Sequence, residues 1–135
     1  MRAREFMAKA ERAAESSKLL LEAGDADGAC NRAYYAMFDA ARAALLAAGV
    51  AVADEVARTH SGLISAFSLH LVKPGRVALE LGRALNRVEE IRLIADYKGD
   101  AIGPEQSAWA VEQASAFVKA IAAEFMPRPA DNRKP

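Results

Sequence analysis

The stretch "IRLIADY", residues 91–97, brings an arginine, an aspartate and a tyrosine close together. Arg92 and Asp96 stand four apart, the spacing at which a guanidinium and a carboxylate face each other on a helix surface. A helical wheel puts Arg92 on the edge of an apolar stripe, where its charge needs carboxylate, amide or solvent-cavity partners. A second stretch, "NRAYYAMF" at 31–38, offers them. Its Asn31 is a candidate amide partner for Arg92. Tyr35, on the same shoulder of the helix, suits either packing between protomers or stacking on a nucleotide base. His60 and His70, ten residues apart with only Cys30 as a cysteine, do not make a recognised zinc ligand set, so no metal and no cofactor is expected.

Helices must position these groups. The chain has 135 residues, enough for one domain with one core, and its apolar half rests heavily on alanine. Strand signals are poor. Eighteen basic and eighteen acidic residues cancel, so neither an overall positive field nor an acidic excess marks the chain, although a local patch stays open. No apolar run reaches the roughly 20 residues that cross a bilayer, and the opening "MRAREFMAKAERAAESS" lacks the apolar centre of a signal peptide. A cytoplasmic protein away from membranes is the expectation, and the lone cysteine agrees with a reducing compartment.

Breaks at Gly24–Gly28, Gly49–Arg58, Lys73–Gly75 and Gly99–Pro104 divide the chain into five segments. The first helix is expected from about Glu5 to Ala23. The second starts near Asp27, capped by Asp25 or Asp27, and stops before Gly49. Its core face carries Cys30, Tyr34, Met37, Phe38, Ala41, Leu45 and Ala48, with Arg32 pointing away and Asn31, Tyr35 and Arg42 along one shoulder. Tyr34 and Phe38 read as core. The third helix starts at Thr59 and aligns His60, Ile64, Phe67 and Leu71, so His60 faces inward or toward an interface. The fourth, about Arg76 to Tyr97, buries Val77, Leu81, Ala84, Leu85, Val88, Ile91 and Ala95, and sets Arg76, Arg83 and Arg87 on another face among Glu80 and Glu90. Pro104 opens the last helix, which runs to about Phe125 with Trp109 on its apolar side. The proline-rich tail at 127–135 is expected to be disordered, leaving 1–126 as the domain.

The series "NRAYYAMFDAARAALLAAGV", "THSGLISAF", "RLIADY" and "GPEQSAWAVEQASAFVKAI" resembles the HEPN domain (higher eukaryotes and prokaryotes nucleotide-binding), in particular its small stand-alone prokaryotic branch. The resemblance covers about residues 5 to 125. It implies an all-α, up-and-down antiparallel bundle of four main helices plus a shorter one, commonly a homodimer with the polar site near the dimer cleft. Many members of that family are metal-independent ribonucleases, often toxins neutralised by a minimal nucleotidyltransferase encoded beside them. Their arginine stabilises charge on the phosphate, and a histidine four to six residues further on relays the 2′-hydroxyl proton.

Carried onto this chain, Arg92 matches the arginine and Asn31 the polar residue of the second helix. The histidine is replaced. With four residues between, Tyr97 follows Arg92, and no histidine lies C-terminal to it. A phenol titrates near pH 10 and is a poor general base. Tyr97 stands near the position of a tyrosine that such partners nucleotidylate, and His60 is the candidate to supply a base from another helix. The expectation is therefore a nucleotide- or RNA-associated component, non-catalytic or weakly active, of a two-gene system. The alternative is an RNA-cleaving toxin centred on Arg92.

Overall fold

Helix starts coincide with side chains that satisfy the orphan N–H groups of a first turn. Asp25 Oδ1 accepts from the Gly28 amide at 2.8 Å, Thr59 Oγ1 from the Gly62 amide at 2.9 Å, and Pro104 sits at the first helical turn of the last segment. In this computed structural model the helices are α1 (Ala3–Glu22), α2 (Ala26–Ala47), α3 (His60–Phe67), α4 (Leu79–Lys98) and α5 (Pro104–Phe125). The structure describes residues 2–53, 58–98 and 102–126, without the side chains of 96–98. No strand occurs among the described residues, and the all-α class is as the sequence indicated. The expected disordered tail at 127–135 lies outside the described residues.

The third helix runs to the expected break, and the start of the fourth differs from the sequence reading. α3 continues as a π-helical segment, Ser68–Val72, which ends in a turn at Gly75, where φ is +86°. The amides of Arg76 and Val77 both reach back to the Leu71 carbonyl, so the chain is still closing the previous helix there. α4 consequently starts at Leu79 rather than Arg76. Arg76 instead lies over the Phe125 ring, 5.2 Å from its centroid.

α2 is the centre of the bundle. It packs against α1, α3, α4 and α5, and its alanines at 29, 33, 36, 40, 41, 43 and 44 are fully buried. A single core face was expected. The alanines widen it, because a methyl side chain on every side lets neighbouring helices approach closely. The bulky core gathers where α2 meets the others: Tyr34 and Met37 from α2, Leu63 and Phe67 from α3, Leu85 and Val88 from α4, Phe117 and Ile121 from α5. Trp109, expected on the apolar side of α5, is 37% exposed and lines a surface groove with Arg87, Ile91 and Glu105.

The start of α5 is tied to the start of α2. Asp27 Oδ1 accepts from the Ile102 amide at 2.8 Å, and the buried Ser107 hydroxyl donates to the Ala26 carbonyl at 2.9 Å. These bonds hold Ile102 and the first turn of α5 against the start of α2. No described helix is long and apolar enough to cross a membrane.

Candidate functional site

Tyr34 is fully buried, yet its hydroxyl has a partner. The Oη atom lies 2.6 Å from Nδ1 of His60, the first residue of α3, and the two rings stack with centroids 5.4 Å apart at 23°. The Arg92 guanidinium carbon also sits 4.6 Å from the centroid of the Tyr34 ring. Three helices thus meet at one phenol: α4 brings Arg92, α2 brings Tyr34 and α3 brings His60. Phe38 and Tyr35 complete the aromatic surround of the imidazole, at 5.0 and 5.7 Å between centroids.

The electrostatics fix the protonation states. Burial pushes the Tyr34 phenol well above its ordinary range, reinforced by the Glu89 carboxylate and opposed by Arg92, so the hydroxyl keeps its proton. Burial also holds His60 below its ordinary value of 6.5; the Arg92 charge adds to this and Glu89 opposes it. His60 is neutral near pH 7. A neutral imidazole has one acceptor nitrogen and one N–H. The direction of the 2.6 Å contact goes with the tautomer: where the phenol donates, Nδ1 accepts and the ring proton resides on Nε2. Arg92 and His60 then both present N–H donors, and donors of this kind suit an anion such as a phosphate.

Of the residues singled out from the sequence, the structure brings Arg92, His60 and Tyr35 into one cluster. Asn31 is half-buried on α2, one turn before Tyr34, and its side chain makes no hydrogen bond to another described residue. Asp96 and Tyr97 belong to the last turn of α4, but their side chains lie outside the described residues. Tyr34 was read as core alone, and Glu89 was passed over. A signal was available for Tyr34: it shares the inward face with a histidine that also faces inward, and buried polar groups must find partners. Among the described residues no group of three metal-ligating side chains converges.

This arrangement sits inside a chain that matches the family model of the HEPN domain over residues 3–125. The chain belongs to the HEPN family. A UPF0332 protein of Gloeobacter violaceus is 35% identical over 90% of this chain and 94% of its own length. A UPF0332 protein of Thermotoga maritima is 36% identical over 84% of this chain and 83% of its own. A Methanocaldococcus jannaschii protein named "Putative toxin MJ0605" is 31% identical over 83% of this chain and 80% of its own. The HEPN match covers all five helices and hence the whole Arg92, Tyr34 and His60 cluster.

Proposed function

We propose that this HEPN chain is a nucleotide- or RNA-associated component of a two-gene system with a minimal nucleotidyltransferase, and that its cluster binds phosphate more readily than it cleaves RNA. The observation that carries this reading is the 2.6 Å contact between Tyr34 Oη and His60 Nδ1. With Nδ1 occupied as acceptor, Nε2 carries a proton and cannot take one from a 2′-hydroxyl. Arg92 supplies the charge for the phosphate, Asn31 an amide at the margin of the site, and Tyr35 a ring for stacking. Asp96 and Tyr97 follow Arg92 by about one turn, with binding or interface roles, Tyr97 as the acceptor if the nucleotidyltransferase modifies the chain. The working unit is a homodimer.

The second reading is a metal-independent ribonuclease acting as a toxin. Two observations favour it: Arg92 and His60 meet on the same phenol, and one relative is named as a toxin. It requires the other imidazole tautomer, in which Nδ1–H donates to Tyr34 and the lone pair on Nε2 serves as base.

Cleavage of end-labelled RNA in chelator, by wild type and Arg92→Ala in parallel, separates the two, with intact mass checked for modification. The binding reading expects no cleavage from the unmodified wild type, together with nucleotide affinity that Arg92→Ala abolishes. Cleavage that disappears in Arg92→Ala would establish the nuclease instead.

A further inference from the structure

The shoulder of α2 beside the site carries a segregated charge. Arg32, Tyr35, Asp39 and Arg42 follow at intervals of three, four and three residues, which places them on one stripe of the helix. Arg32 lies over the Tyr35 ring at 5.6 Å. Arg42 lies over the ring of Phe6 from α1 at 4.6 Å, and Lys9 approaches the same ring at 5.8 Å. Lys9, Arg32 and Arg42 all act electrostatically on the carboxylate of Asp39. Among the described residues none of them closes to an ion pair with it. In a chain whose formal charge sums to zero, three cations that act on one half-buried carboxylate form a local positive surface.

The surface is continuous with the phosphate site. Tyr35 touches both: its ring meets Tyr34 at 5.3 Å and His60 at 5.7 Å, and Arg32 lies over it. From Arg32 to Arg42 the helix advances about 15 Å at 1.5 Å per residue. Guanidinium groups beside a partly exposed ring, Tyr35, are what an unpaired strand requires, with cations for its phosphates and a π-face for a base. An acidic protein would need the charges alone.

We propose that the Arg32, Tyr35, Arg42 and Lys9 surface is a track for single-stranded RNA, leading away from the phosphate site formed by Arg92, Tyr34 and His60. The track rests on the phosphate-binding reading of that site. Arg32, Arg42 and Lys9 contact successive backbone phosphates, and Tyr35 stacks the base next to the site. Asp39 moderates the attraction, so neutralising it strengthens binding.

The test is fluorescence anisotropy with labelled single-stranded RNA of about ten nucleotides, alongside a labelled mononucleotide. It uses the full chain and the variants Arg32→Gln/Arg42→Gln, Asp39→Asn and Arg92→Ala. Each phosphate contact to a single strand contributes about 0.7 to the slope of log affinity against log salt, or about fivefold in affinity at 0.1 M salt relative to 1 M. The double variant is therefore expected to lose about 25-fold in RNA affinity at 0.1 M salt, with a slope shallower by about 1.4, and to bind the mononucleotide as before. Asp39→Asn should tighten RNA binding, a gain that impaired folding would not produce. RNA affinity and slope unchanged in both variants would overturn the track. So would loss of capture of a nucleotidyltransferase partner with RNA affinity intact, which would make the surface a protein interface. If Arg92→Ala leaves both ligands bound while the double variant loses RNA, the phosphate site fails and the track stands.

Discussion

The Tyr34 hydroxyl on α2 reaches Nδ1 of His60 at 2.6 Å, joining residues 26 positions apart in sequence. The bond does two things at once. It satisfies a phenol that is fully buried, and it engages one imidazole nitrogen, so that with the phenol as donor the ring proton lies on Nε2. Tyr34 therefore acts on the site through His60 as a positioning residue, while its ring also carries Arg92.

Tyr34→Phe keeps that ring and removes only the hydroxyl. Nδ1 of His60 loses its partner at a half-buried position, and the expected cost is about 1 kcal/mol in urea or guanidinium unfolding. The imidazole should also lose its single tautomer, seen as a change in the ring nitrogen shifts by NMR. A variant with unaltered stability and unaltered shifts would mean that the hydrogen bond does not form in solution.

Arg92 should be felt by His60 as a charge. Burial and Arg92 hold the imidazole below 6.5, against Glu89, so Arg92→Gln is expected to raise its titration midpoint. The sign for stability follows. The unfolded chain protonates first as pH falls through 6.5, so the stability that neutral His60 contributes is fully present above that pH and is lost toward the lower folded value. Urea midpoints at pH 7.5 and pH 5.0 should differ more for wild type than for His60→Gln. Equal pH dependence in the two proteins would remove His60 as a source of it.

How much of this was legible before any coordinates depended on the range of the interaction. Asp25, Thr59 and Pro104 announced helix starts because a cap is a local bond, and the stripe Ile64, Phe67 and Leu71 announced a buried face because periodicity is local as well. The start of α4 was misplaced at Arg76 because the Arg76 and Val77 amides bond back to Leu71, a closure that composition does not reveal. At the site, Arg92 and His60 stood out by residue type. The phenol between them did not, since Tyr34 fits a core stripe equally well with or without a polar partner. Asp27 was read only as a possible cap, whereas its carboxylate holds the Ile102 amide 75 residues away.

Thr59 tests whether the position of His60 depends on its cap. The Thr59 hydroxyl accepts the Gly62 amide at 2.9 Å, fixing the first turn of α3 on which His60 stands. Thr59→Ala is expected to cost about 1 kcal/mol of stability, and Thr59→Ser to restore most of it. Nucleotide affinity should weaken in the alanine variant and recover in the serine variant. If affinity is indifferent to both, His60 does not contact the ligand.

The alanines of α2 set the last expectation. Ala40 has no exposed surface, on the helix that packs against all the others, whereas Ala47 near its end is exposed. Adding three carbons at position 40 must push a neighbouring helix outward or force side chains off their rotamers, because interiors are already close-packed. Ala40→Leu is expected to destabilise by about 1–3 kcal/mol or more, while Ala47→Leu stays within about 0.5 kcal/mol of wild type. Since α2 also carries Tyr34 and Tyr35, a shifted helix displaces the phenol from both His60 and Arg92. Nucleotide affinity in folded Ala40→Leu should then fall even though the substitution touches no group of the site. Calorimetry and anisotropy on the same samples check both effects, and a destabilised variant with wild-type affinity would show that the cluster tolerates movement of α2.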